Sequence, residues 1–297
     1  MDRKEFIKTA MASVIGIMVA GKSRLTAEVV KKVQNTSEIF VAKDGSPSDM
    51  TSKVIKALGG IGKFVKKGSK VVIKPNIAWN RSPEQAANTH PEVVATVVSL
   101  CKSAGASSII VTDVTCDPWN VTYVVSGIKE AVERAGGIIK PPEKFRKVAI
   151  PSGVVLKEAE IPEDILDADV LINIPVVKVH GSKAKVTISM KNWMGAVRDR
   201  GYFHRTDLNQ CIADISSFLK PSLTIIDATR ILLTNGPKGP GTVKETKIVA
   251  GGTDFVALDA FGATLLGIDP SEVRHIQIAK EFGLGESDLS KVKILYV

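Results

Sequence analysis

Asp167 to Gly195 reads D-A-D-V-L-I-N-I-P-V-V-K-V-H-G-S-K-A-K-V-T-I-S-M-K-N-W-M-G. Its first part is β-branched and aliphatic, the composition of a buried strand. If the chain stays extended past Pro175, Lys178 and His180 project to one side, because strand side chains repeat every two residues. The part after Gly181 fits a helix, with Val186, Met190, Trp193, Met194 and Val197 on one apolar stripe. On that helix Thr187, Lys191 and Gly195 fall at i, i+4 and i+8. A hydroxyl, an ammonium and bare backbone along one edge suit a bound anion. A solvated lysine face is the plainer explanation of such a cluster. Asn192 and Trp193 beside Lys191, with His180 upstream, tell against it.

Outward from this stretch, strands alternate with helices. Lys70–Ile73 reads as a strand followed by Lys74-Pro75-Asn76, and Ser108–Thr112 as a strand followed by Asp113. Leu223–Ile226 reads as a strand ending at Asp227. Thr89-His90-Pro91-Glu92 has capping-box spacing and opens a helix through Cys101. Thr253-Asp254 opens another, which carries Asp259 among Val256, Leu258, Phe261 and Leu265. The alternation predicts an α/β fold, a mostly parallel sheet with helices on both faces. The similarity of I-I-V-T-D-V-T and I-I-D-A-T allows two similar lobes around a cleft. Ligands of such folds gather beyond the carboxyl ends of the strands. Lys74, Asn76, Asp113, Lys178, His180 and Asp227 are expected there.

The 297 residues carry a net charge of +9. With aromatics at 5% and no nucleic-acid module, that charge points to small anions rather than nucleic acid. The cysteines Cys101, Cys116 and Cys211 form no C-x-x-C pair, so no iron–sulfur motif is present. Cys116, after a strand end, is the one placed for chemistry. Residues 1–21 join a basic start, Asp2-Arg3-Lys4-Glu5-Phe6-Ile7-Lys8, to an uncharged run of 13 residues. They read as a twin-arginine-like export signal or a membrane anchor, with Lys4 where the second arginine belongs. An amphipathic helix of a cytoplasmic protein is the alternative. Residues 22–37 read as a linker, and 38–297 as the α/β domain.

Lys74-Pro75-Asn76, Thr89-His90-Pro91-Glu92, Asp113, the run from Asn173 to Gly195, Asp227 and Leu258-Asp259-Ala260 together resemble the domain of unknown function 362 family. The likeness spans nearly the whole chain after residue 38. It implies export, since members carry twin-arginine-like signals. It also implies a ferredoxin-type partner, since some members are fused to such a module, which this chain lacks. It implies no reaction.

The residues themselves point to carboxylate or phosphate chemistry. Lys74, Asn76, Lys178, Thr187, Lys191 and Asn192 are the expected substrate-binding set. His180, His90 and Asp259 are the expected catalytic groups, because a carboxylate among apolar residues is costly unless paired, for instance with a lysine. Asp113, Asp227 and His204 are candidates for a divalent metal. His275 reads as surface. The expectation is an extracytoplasmic enzyme acting on an anionic small molecule. A non-catalytic anion-binding protein and a redox accessory protein are the alternatives.

Overall fold

The computed structural model describes residues 37–297. The signal and linker readings for residues 1–36 lie outside the described residues. The first elements are β1 (Glu38–Lys43), α1 (Pro47–Ala57), β2 (Lys70–Pro75), α2 (Pro91–Ser103) and β3 (Ser108–Val111). They are followed by α3 (Trp119–Val125), α4 (Ile128–Ala135), β4 (Ile138–Ile139), β5 (Phe145–Ala149), β6 (Glu158–Pro162) and α5 (Glu163–Leu166). The central stretch forms β7 (Val170–Ile174), β8 (Val176–Val179), β9 (Val186–Thr187) and α6 (Ser189–Asn192). The rest is α7 (Gly201–Arg205), α8 (Leu208–Phe218), β10 (Leu223–Leu232), β11 (Val243–Gly252), α9 (Phe255–Leu265), α10 (Arg274–Glu281) and β12 (Lys293–Tyr296).

One sheet runs in the order β12-β1-β11-β10-β7-β2-β3-β4, with β8 and β9 attached at β10. The pairings within β7-β2-β3-β4 and between β10 and β7 are parallel. β11 is antiparallel to both neighbours. It follows β10 through the loop at residues 233–242, which is shorter than the crossover that parallel strands need. The fold is thus mostly parallel α/β, with one continuous sheet serving both halves of the chain.

Side chains sort by alternation onto the two faces. Val71, Ile73, Val170, Ile172, Leu223 and Ile225 join the core beneath α1, α2 and α4. Val72, Leu171 and Ile226 join the opposite core with α8, α9 and α10. A strand buried on both faces has to be apolar throughout, which is why these segments read as continuous aliphatic runs.

Three local readings change. The helix expected after Gly181 is instead a strand pair, one turn of α-helix, and a 3-10 turn over Trp193–Ala196. Val186 and Thr187 pair with Val179 and Lys178, and that ladder takes the backbone groups a longer helix would need. β10 does not end at Asp227 but runs to Leu232, because β11 pairs along it past a bulge at Ala228/Arg230. His275 is fully buried, not on the surface. Its Nδ1 lies 3.1 Å from Asn209 Oδ1 on α8, and burial lowers its pKa to about 3.

Candidate functional site

The carboxyl ends of β2, β3 and β8 meet at a pocket of about 210 Å³. β2 carries Lys74 to its floor, β8 carries Lys178, and His180 follows one step beyond. Thr187 on β9 and Lys191 and Asn192 on α6 supply another wall. Gly195 completes the i, i+4, i+8 set on this pocket, although three different backbone conformations carry it there. All six expected substrate-binding residues line the pocket.

Lys74 is completely buried, and its ammonium meets three oxygens, two by hydrogen bonds and one in an ion pair. Its Nζ lies 2.8 Å from Asp113 Oδ1, 3.0 Å from Pro75 O and 3.1 Å from Asn192 Oδ1. Asp113 is fixed in turn by the Ile77 amide at 2.7 Å and by Tyr123, whose hydroxyl bonds the Asp113 backbone. Burial lowers Lys74 and raises Asp113, and each one's charge opposes the other's shift. Gly195 approaches this pair so closely that a Cβ there would overlap Asp113 Oδ1 and crowd Lys74 Nζ. Asn192 ties the floor together, receiving Asn76 Nδ2 at 3.0 Å and donating to Asn173 Oδ1 at 2.8 Å.

Lys178 and Lys191 are held differently. Lys178, 1% exposed, donates to Asn76 Oδ1 at 3.1 Å and Ala87 O at 2.5 Å. Lys191, 7% exposed, has among the described residues only Met194 Sδ at 3.3 Å. Among the described residues neither lysine forms a salt bridge. Burial, helped by Lys191, brings Lys178 down to about 7, and burial brings Lys191 to about 8. The hydrogen bonds rank the pair in the opposite order. Two carbonyl acceptors favour an ammonium at Lys178, and no oxygen does so at Lys191. The proton that stays near neutral pH therefore belongs on Lys178, and Lys191 is the freer amine.

Two more groups face the same space. Thr187 Oγ1 is buried without a hydrogen-bond partner. His180 Nδ1 accepts the Ser182 amide at 3.1 Å, so the neutral ring carries its proton on Nε2. Burial, Lys191 and Lys178 lower His180 to about 2. As the protein stands, His180 is an N–H donor rather than a base.

The other expected groups lie elsewhere. His90 caps α2, its Nδ1 accepting the Glu92 amide, and it does not line the pocket. Thr89 is not the cap. Its hydroxyl receives the Asn76 amide and donates to Ile174 O, tying the β2 exit to β7. Asp259 is also away from the pocket and pairs with no lysine. Its two oxygens accept the Ser189 and Met190 amides at 2.6 and 3.0 Å, which fixes the first turn of α6. Burial raises it to about 8, against the pull of those amides.

Asp227 is spent on Arg230 at 2.6 Å, the His90 amide at 2.7 Å and Thr229. The α2 N-terminus is thus already occupied by a carboxylate of the chain. Asp113 and His204 line the pocket but Asp227 does not. Among the described residues no three His, Cys, Asp or Glu side chains are grouped to hold a metal.

Arg200, Trp79 and Pro237 line the pocket without having been expected there. Arg200 Nη1 lies 2.9 Å from Cys116 Sγ, and its Nη2 donates to Thr115 O. Cys116 is exposed, whereas Cys101 and Cys211 are buried. Lys238 Nζ sits 5.4 Å from the centre of the Trp79 ring and 3.1 Å from Asp117, stitching two loops at the rim. Arg200 stands in a loop dense with charges, V-R-D-R-G, where nothing local separates it from Arg198 or Arg205.

A thylakoid-associated protein of Synechocystis is 27% identical to the chain over 248 residues, covering 78% of the chain and 73% of that protein. Among solved structures, the lactate racemase apoprotein of Thermoanaerobacterium thermosaccharolyticum aligns with a TM-score of 0.39 and 13% identity. That alignment covers 79% of the chain and spans 57% of the racemase. The family profile of Domain of unknown function (DUF362) matches residues 71–264, which include the strands and loops that build the pocket, and the chain belongs to that family.

Proposed function

We propose that the protein is an enzyme that binds a small carboxylate- or phosphate-bearing molecule in this pocket and moves a proton on it. One observation carries the reading. Lys178, Lys191 and Arg200 share a pocket with one carboxylate, Asp113, and Lys74 already occupies that carboxylate. Buried positive charge without a partner is costly, and a ligand anion offsets the cost. Lys178, Lys191, Arg200, the Thr187 hydroxyl and His180 Nε2–H form the donor set. The Lys178–Lys191 pair, titrating near neutrality, is suited to carry the proton. A pure binding site would have no use for an amine held so near its titration point. We place the work outside the cytoplasm on the strength of residues 1–21, to be tested by locating a C-terminally tagged chain in cell fractions.

Calorimetric titration with oxalate, lactate and inorganic phosphate tests the binding. At least one should bind, and Lys191→Met should weaken it about ten-fold, on the order of one lost hydrogen bond. Equal affinity in the folded variant sinks the reading. Binding without deuterium exchange or turnover of any 2-hydroxy or 2-oxo acid leaves a binding protein rather than an enzyme.

A further inference from the structure

The three buried lysines differ in how many oxygen acceptors each Nζ meets. Among the described residues Lys74 has three, Lys178 has two and Lys191 has none. An ammonium has three hydrogens to place and no lone pair. A lysine that serves only as a point charge is stabilised by carbonyls around it, as Lys74 and Lys178 are. Lys191 is instead set against a thioether, where the neutral amine costs less than the cation. It still lines the pocket, with Lys178 nearby and the unpartnered Thr187 hydroxyl four residues back in sequence. A desolvated lysine beside a second cation is the arrangement that makes an amine nucleophilic at neutral pH.

We propose that Lys191 forms a reversible imine with the ketone of a small 2-oxo acid, whose carboxylate is held by Lys178 and Arg200. This rests on the anion-site reading and names its substrate class. The Lys191 nitrogen lone pair adds to the ketone carbon, and the carbonyl electron pair moves to oxygen. Lys178 supplies the proton that makes this oxygen a hydroxyl, and Thr187 hydrogen-bonds it. The carbinolamine nitrogen loses a proton to Lys178. The hydroxyl takes that proton back from Lys178 and leaves as water while the nitrogen lone pair closes the C=N bond, giving the protonated imine. One water is released, no electrons are gained or lost, and no co-reactant is needed. The cationic imine acidifies the neighbouring C–H bond and weakens the bond to the carboxylate carbon, which gives the enzyme its proton to move.

The test is trapping on the full chain. The protein is incubated with pyruvate and sodium cyanoborohydride, digested and mapped by mass spectrometry. The expected product is a reduced adduct on Lys191, heavier by pyruvic acid less one oxygen atom, and suppressed by excess oxalate. Lys183 and Lys185, both exposed, serve as internal references whose background labelling oxalate leaves alone. Lys191→Arg should abolish the protected label; because wild-type mapping locates the adduct directly, a poorly folded variant does not decide the matter. An adduct on Lys178, labelling that oxalate never suppresses, or no adduct although calorimetry shows pyruvate bound would each overturn the imine and leave the anion site standing. If neither pyruvate nor oxalate binds, both proposals fall.

Discussion

At Asp227 and at Lys191 the chain buries charge under opposite rules. Asp227 Oδ2 accepts Arg230 and the His90 amide, and Oδ1 accepts the amide and hydroxyl of Thr229. Arg230 spends its remaining nitrogens on Pro83 O and Asn88 O. Each oxygen of Asp227 and each nitrogen of Arg230 has a partner, so the cluster holds the sheet to the start of α2 and asks for no ligand. The pocket has the reverse balance, with cations in excess, a hydroxyl unpartnered and one lysine against sulfur. A satisfied buried charge is architecture, whereas an unsatisfied one facing a cavity is where we propose that an anion binds.

The sharpest way to break this contrast is to remove one member from each side. Asp227→Ala strands Arg230 and the His90 amide, and should cost about 3–5 kcal/mol of stability in denaturant unfolding, the usual size for half of a buried pair. Lys191→Met removes a buried amine without orphaning an oxygen, so stability should hold or rise while anion affinity falls. Similar losses of stability in both variants would erase the distinction. Gly195→Ala should be intermediate, about 1–3 kcal/mol by overpacking, because the added methyl must push Asp113 off Lys74. Anion binding should weaken with it, as the pocket floor shifts.

The pH dependence sharpens the comparison further. Burial holds Lys191 no higher than about 8 in the fold, against 10.5 when unfolded. Between those values the unfolded chain binds the extra proton, so stability contributed at this site rises with pH. Wild type should therefore gain stability relative to Lys191→Met as pH climbs through that window. An identical pH profile for the two would show that Lys191 is not desolvated. The smallest effect belongs to Lys185, which meets Glu272 at 2.7 Å with both side chains substantially exposed. Lys185→Ala should change stability by no more than about 0.5 kcal/mol and leave binding untouched, although Lys185 lies in the same lysine-rich stretch as Lys178 and Lys191.

That last contrast marks where sequence reading stops. Lys178, Lys183, Lys185 and Lys191 look alike in the string, yet two are buried at the pocket and two are exposed. Strand alternation placed Lys178 correctly, since β8 continues extended after Pro175. Helical spacing grouped Thr187, Lys191 and Gly195 for the wrong reason, because that helix is only one turn long. For the carboxylates the string shows an acidic residue in an apolar run but not what consumes its lone pairs. Asp227 is consumed partly two residues away, at Thr229, and Asp259 by amides some seventy residues upstream.

The sequence by itself determined the alternating α/β plan, the family and the set of polar residues at strand ends. Those follow from periodicity and residue type, which are local properties of the chain. Only the tertiary structure decided that His90, Asp227 and Asp259 are bracing, that Arg200 belongs to the pocket, and that Lys191 is the amine without an acceptor. Such distinctions depend on which donor meets which oxygen, and contacts between distant segments set that once the sheet has ordered them.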